Sequence, residues 1–240
     1  CIIAQSNDEI ARRAKVIGLS LPTIETNRQV VREIAKAGAA GTVVVDTCTI
    51  GIDAAKLNAQ ILNEVGIEYL DSPVSGLKFR AEEGALVSMV SGAASELKKA
   101  RKLLEGYSRA VVHVGTEPGQ GQRMKVLNNA ICIASYVISS EALTYGEAGG
   151  LKVGEMLEVI NESSGQNFAT KFLFPKYVAT EQYDASGAEA HIIEKDIGLF
   201  VEGADGDGTP SKVIAAAYEI IKAFNEADPL QDQMNIYPYV

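Results

Sequence analysis

The sequence predicts an α/β domain built on a parallel sheet, followed by a domain made almost entirely of helices. Three observations carry this. Short β-branched runs at 16–22, 42–46 and 67–71 alternate with helical spacings at 25–37 and 54–65, and strands separated by helix-length crossovers pair in parallel. From Gly121 onward strand signals almost vanish. Pro118 and Gly119 stand between the two regimes as breakers, which places the domains at 1–118 and 119–240.

Taken in order, Val16 to Pro22 is an apolar run closed by proline, the pattern of a buried strand. Val30, Val31, Ile34 and Ala35 recur at helical spacing, and Gly38 and Gly41 punctuate the exit. Val43, Val44 and Val45 form the second strand, 54–65 a helix, and 67–71 the third strand. After Pro73 the rhythm changes to a strand at 85–90, a helix at 94–104 and a strand at 110–114, a closing unit at the sheet edge. A long helix at 121–148 follows, then helices at 153–161, 168–178, 188–205 and 210–225.

With 240 residues, 47% hydrophobic and 22% charged, the chain can bury a sizeable core and has the balance of a soluble globular protein. Lys+Arg 22 against Asp+Glu 31 leaves a net charge of −9, which argues against duplex nucleic acid or an anionic membrane as partner. Cys1, Cys48 and Cys132 are odd in number and widely spaced, as in a reducing compartment, and Cys48 and Cys132 are expected to pack. No apolar run approaches bilayer length and no charged-then-apolar leader opens the chain, so a cytoplasmic location is expected.

Three features look functional and are read as structural. Gly203 to Gly208 imitates a phosphate or calcium loop, yet no strand precedes it and Ala216 stands where a calcium loop needs glutamate; a helix-to-helix turn is expected. Lys98, Lys99, Arg101 and Lys102 with Glu96 and Glu105 form a solvated helix face. His113 and His191 lack companion ligands at metal spacing, so no metal is predicted.

Chemistry concentrates at 119–129, Gly-Gln-Gly-Gln-Arg-Met-Lys-Val-Leu-Asn-Asn. In a helix, Lys125, Asn128 and Asn129 stand at i, i+3 and i+4 and share a face. Val126, Leu127, Ala130, Ile131, Ile133, Ala134, Val137 and Ile138 cover much of the rest, so burial on several sides is expected. A lysine there is costly unless it has a partner or a catalytic role; the plain alternative is a lysine snorkelling to solvent. Asp71 to Gly76 ends a strand at the edge where ligands of such sheets collect, and Ser75 and Gly76 offer a hydroxyl and open amides to a carboxylate, or form an ordinary turn. Thr49 either caps the following helix or touches a ligand. Leu21 and Pro22 pack a flat ring or simply stop a strand. Lys195 and Asp196 lie in a helical run, where a solvated ion pair is the default.

Leu21-Pro22, Asp46 to Ile50, Asp71 to Gly76 with Ala81, Gly84 and Leu86, Gly119-x-Gly121-x-x-x-Lys125-x-x-Asn128-Asn129, Glu141-Ala-Leu143 and Lys195-Asp196 run in register over nearly the whole chain. In order and spacing they resemble the β-hydroxyacid dehydrogenase family, which includes 3-hydroxyisobutyrate dehydrogenases and tartronate semialdehyde reductases. The resemblance implies a Rossmann-like domain, an all-α domain and a substrate pocket between them. It implies NAD or NADP as cofactor, a small acid as substrate, and a homodimer or homotetramer formed through the α domain. It also implies that Lys125 is the acid/base, that Ser75, Gly76, Leu77, Asn128 and Asn129 bind or orient substrate, and that Leu21, Pro22, Thr49 and Lys195 lie on the cofactor.

Two departures stand out. The family often has a second glycine where this chain has Leu77, which is expected to narrow the substrate pocket, and Lys78 and Arg80 nearby are candidates for a second anionic group. The family also opens with a strand, a Gly-x-Gly-x-x-Gly turn and a helix that cradle the pyrophosphate; that unit does not occur here, so an N-terminally truncated domain with exposed sheet edges is expected. The leading reading is reduction of semialdehyde acids or oxidation of β-hydroxy acids. The alternatives are a non-catalytic binding or oligomerisation remnant and, more distantly, a reductase of imines.

Overall fold

The computed structural model describes residues 2–240, so Cys1 lies outside the described residues. The chain forms two compact units, Cys1–Lys125 and Val126–Val240.

The first unit opens with α1 (Asn7–Arg13), a helix that the sequence reading did not anticipate. Ser6 caps it by accepting from the Glu9 N–H, with Asp8 and Glu9 in its first turn and Arg12 and Arg13 in its last, so both ends complement the helix dipole. There follow β1 (Val16–Leu19), α2 (Ile24–Ala37), β2 (Val43–Asp46), α3 (Ile52–Asn63) and β3 (Glu68–Asp71). These three strands are parallel, and Leu19, Asp46 and Asp71 stand side by side at their carboxyl ends. β2 is buried throughout, with Val43 and Val45 packing one face and Val44 the other. At roughly 1.5–3 kcal/mol per fully buried valine side chain, this central strand anchors the sheet.

Beyond β3 come β4 (Val74–Ser75), α4 (Leu77–Glu82), β5 (Leu86–Ser91), α5 (Ala94–Leu104) and β6 (Ser108–Gly115). Here the expectation of a parallel sheet needs correction. β5 runs antiparallel to β3 and β4, while β6 is parallel to β5. The six residues of α4 span about 9 Å, too short to carry the chain back along the sheet for parallel entry. β1 pairs with β2 alone and forms one edge among the described strands. On α5, Glu96 is buried rather than solvated, held by Ser95 and Lys99.

α6 (Gln120–Ala148) begins in the first unit and continues into the second. It is long and apolar enough to cross a bilayer by length and composition, contrary to the sequence reading, and half of that apolar window is buried within the protein. Its burial is also more one-sided than expected. Val126, Ala130, Ile133, Ala134 and Val137 are buried, whereas Leu127, Ile131 and Ile138 are exposed.

The second unit continues with α7 (Val153–Asn161), a π-helical turn over Ala169–Leu173 leading into α8 (Phe174–Tyr177), α9 (Ala190–Asp207), α10 (Lys212–Ala227) and α11 (Ile236–Tyr239). The helix expected at 168–178 is thus broken into two geometries. The turn expected over Gly203 to Gly208 is the last turn of α9, ended by Gly208 in the left-handed conformation. Leu143, Phe174, Ile197, Ile221, Phe224 and Ile236 form this unit's fully buried centre.

Candidate active site

The carboxyl ends of β1, β2 and β3 are joined by a buried polar network. Asp46 is fully buried; its carboxylate accepts from Asn27 Nδ2 at 3.0 and 2.9 Å, from Tyr69 OH at 3.0 Å and from the Cys48 N–H at 3.1 Å. Asn58 donates in turn to Asn27. Thr47 Oγ1 donates to the Leu19 carbonyl, and the Leu21 N–H points at Cys48 Sγ at 3.1 Å. The structure thereby brings Leu21 and Pro22, after β1, together with the segment that carries Thr49, after β2. Burial, reinforced by the Asp46 charge, pushes the Cys48 thiol up to about 12, which makes it a packing residue and not a nucleophile. Thr49 does not cap α3: that place belongs to Gly51, at φ 83°, with no side-chain cap.

After β3 the chain reaches Ser75, Gly76 and Leu77, all partly buried. Gly76 sits at φ 148°, where a Cβ would also come 2.9 Å from Leu86 Cδ2. Leu77 follows at φ 62°, a left-handed backbone that costs a leucine about 1–2 kcal/mol.

The first turn of α6 is docked onto these same strand ends. The Gly121 N–H donates to Ser91 Oγ and the Gln122 N–H to Asp71 Oδ2, both at 2.9 Å. The fully buried Gln122 side chain donates to Asp71 Oδ1 at 2.6 Å and to the Cys48 carbonyl at 2.9 Å, and accepts from the N–H groups of Ile50 at 2.9 Å and Gly51 at 3.1 Å. Burial raises the Asp71 carboxyl to about 6 in spite of the Gln122 hydrogen bonds that favour its anion. Lys125 stands three residues further on and is only 9% exposed, so it does not snorkel into bulk water.

In the second unit, Asn128 Nδ2 donates to Asn129 Oδ1 at 3.1 Å, and Asn129 Nδ2 donates to Asp196 Oδ2 at 2.6 Å. Lys195 Nζ lies 3.0 Å from Asp196 Oδ1, an ion pair without well-directed hydrogen-bond geometry. Asp196 is 7% exposed while the Lys195 side chain is 46% exposed, so the pair is buried at its carboxylate and solvated, as expected, at its ammonium. Asn129 and Lys195, far apart in sequence, meet on this carboxylate. Sequence reasoning missed Gln122 altogether, since a glutamine in a first helical turn carries no distinguishing signal. Asp196 had one: a carboxylate beside the apolar run Ile-Gly-Leu-Phe.

Comparison with known proteins bears on this arrangement. Residues 1–115 match the family described as the NAD binding domain of 6-phosphogluconate dehydrogenase, and residues 119–240 that described as NAD-binding of NADP-dependent 3-hydroxyisobutyrate dehydrogenase. The chain is 30% identical over 221 residues to 2-(hydroxymethyl)glutarate dehydrogenase of Eubacterium barkeri, covering 91% of this chain and 73% of that protein. The chain belongs to the β-hydroxyacid dehydrogenase family. Another relative is the NAD-dependent L-serine dehydrogenase of Pseudomonas aeruginosa, 33% identical over 77% of this chain and 63% of that one. Among solved structures, the 3-hydroxyisobutyrate dehydrogenase of Mycobacterium tuberculosis, determined with L-serine, superposes with a TM-score of 0.89 at 26% identity, covering 98% of this chain and 82% of that one.

As a member of this family, the chain belongs with proteins that bind NAD or NADP. Its strand-end donor set suits the nicotinamide end of such a cofactor. Leu21 and Pro22 offer apolar contact to a flat ring, and the half-buried Thr49 brings a hydroxyl suited to a carboxamide.

Proposed function

We propose that this chain acts in NAD(P)-dependent interconversion of a small β-hydroxy acid and its semialdehyde or keto acid, with Lys125 as the acid/base. The observation that carries the reading is the placement of Lys125. It lies nearly buried one turn into a helix whose start is bonded to the strand ends bearing Thr49 and leading to Ser75.

The nicotinamide supplies the hydride in reduction and takes it up in oxidation. As hydride reaches the carbonyl carbon, negative charge gathers on the carbonyl oxygen; the Lys125 ammonium stabilises that charge and delivers the proton. In the reverse direction the neutral amine accepts the alcohol proton. Ser75 and Gly76 hold the substrate carboxylate, and Leu77 bounds the space beside it. Asn128 and Asn129 orient the substrate hydroxyl, so that the reacting carbon is presented in one pose. Leu21, Pro22 and Thr49 would hold the nicotinamide end of a bound cofactor, and Lys195 would hold another part of it. The names of the relatives suggest the compounds to try first: L-serine, 3-hydroxyisobutyrate and 2-(hydroxymethyl)glutarate.

Lys125→Ala is expected to lower kcat by about 100-fold or more while the protein stays folded and binds NAD(P)H as before. Turnover within a few-fold of the unaltered chain would remove Lys125 from the mechanism.

The proposal includes a second copy of the chain as partner. Ile131, Ile138 and Tyr145 repeat at seven-residue intervals along α6 and are 62%, 51% and 85% exposed. An apolar stripe of that spacing is what a facing helix covers.

A further inference from the structure

We propose that Gln122 is a positioning residue, whose side-chain amide holds the Thr49-bearing segment and the end of β3 against the turn of α6 that presents Lys125. The inference rests on the hydride-transfer reading above and adds to it the part that aligns its acid/base. An amide side chain has two donor hydrogens and one oxygen with two lone pairs. Gln122 uses all four: its hydrogens go to Asp71 and the Cys48 carbonyl, and its oxygen takes the N–H groups of Ile50 and Gly51.

Those partners are not scattered. Cys48, Ile50 and Gly51 bracket Thr49 on both sides, and Asp71 is the last residue of β3, four before Ser75. The main chain repeats the link, since the Gln122 N–H meets the other Asp71 oxygen and the Gly121 N–H meets Ser91, which itself donates to Asp71 at 3.2 Å. One fully buried side chain thus fixes two strand-end segments to the helix, and Lys125 lies one turn on. Leucine fills a similar volume and makes none of these bonds. Glutamate keeps the acceptors, loses both donors and sets a second carboxylate against Asp71, unless it is protonated.

The test compares the full chain with Gln122→Leu and Gln122→Glu, using steady-state kinetics with NAD(P)H and the hydroxy-acid panel at a temperature where circular dichroism shows each variant folded. A positioning role is expected to appear in kcat. Gln122→Leu should lose at least about tenfold in kcat, with cofactor Kd changed less than about threefold. Gln122→Glu should regain part of its kcat at pH 5.5 relative to pH 8, measured as a ratio to the unaltered chain, because the protonated carboxyl again donates to Asp71. Folded variants with kcat within twofold of the unaltered chain overturn the proposal. Loss of folding in both variants also overturns it, leaving Gln122 a purely structural group. Absence of turnover in the unaltered chain instead sinks the hydride-transfer reading, and this inference with it.

Discussion

At Leu77 the backbone stands at φ 62°, which is open to glycine without cost and strains leucine by about 1–2 kcal/mol. Replacing it by glycine relieves that strain and adds roughly 0.4–1 kcal/mol of unfolded-chain entropy cost, so the two nearly offset. Leu77→Gly is therefore expected to leave urea-unfolding stability level or raised by up to about 1 kcal/mol. It should also raise kcat/KM for acids bulkier than serine relative to serine itself; an unchanged ratio would show that Leu77 does not bound the substrate. Asp71 gives a second residue-scale prediction. The amide end of α6 favours its anion, yet burial outweighs this and lifts the carboxyl from 3.8 to about 6. The native state therefore holds a proton that the unfolded chain releases between those values. Stability from this group is full below about pH 4 and is lost as pH rises through about 6, by roughly 3 kcal/mol. Asp71→Asn cannot ionise, so guanidinium unfolding at pH 4.5 and 7.5 should show the variant gaining on the unaltered chain by about 2 kcal/mol across the interval, the rest of the loss falling below pH 4.5. A constant difference would contradict the burial argument.

The elements that the sequence made legible are the long, strongly periodic ones. α5 and α7 occupy 94–104 and 153–161 as expected, because each carries an apolar stripe repeated over about two and a half to three turns. α1, β4 and α4 are too short for periodicity to register, and the π turn at Ala169–Leu173 disguises itself as helix because its residues are helix-compatible. Antiparallel entry of β5 depends on the length of α4 and leaves no mark on the strand's own residues. The junction of α6 with the sheet supplies the prediction at this scale. A Cβ on Gly121 would lie 2.6 Å from the Met89 carbonyl oxygen and 2.9 Å from both the carbonyl and a carboxylate oxygen of Asp71. Two of those three are backbone atoms, so the helix start must shift. Gly121→Ala is expected to cost about 1–3 kcal/mol by thermal unfolding and to lower kcat more than cofactor affinity. Unchanged stability would mean that α6 is not seated closely on the strand ends.

For the molecule as a whole, family matches over 1–115 and 119–240 correspond to two kinds of chain pattern, one alternating strand with helix and one helical throughout. The proposed partnership between copies is tested at this scale. Ile131→Glu with Ile138→Glu places charges on the exposed stripe of α6, and sedimentation velocity is expected to show the unaltered chain as an oligomer and the double variant as a monomer with the same circular dichroism spectrum. An unaltered chain that sediments as a monomer would end that part of the proposal. The family and the α/β-then-α order were readable from sequence alone, because motif spacing and periodicity are properties of the chain itself. Tertiary structure alone decided which side chains meet: Gln122 with four partners at 48–51 and 71, Asn129 with Lys195 through Asp196, and the strained turn at Leu77. Hydrogen-bond geometry and burial are set by segments remote in sequence, and no local pattern encodes them.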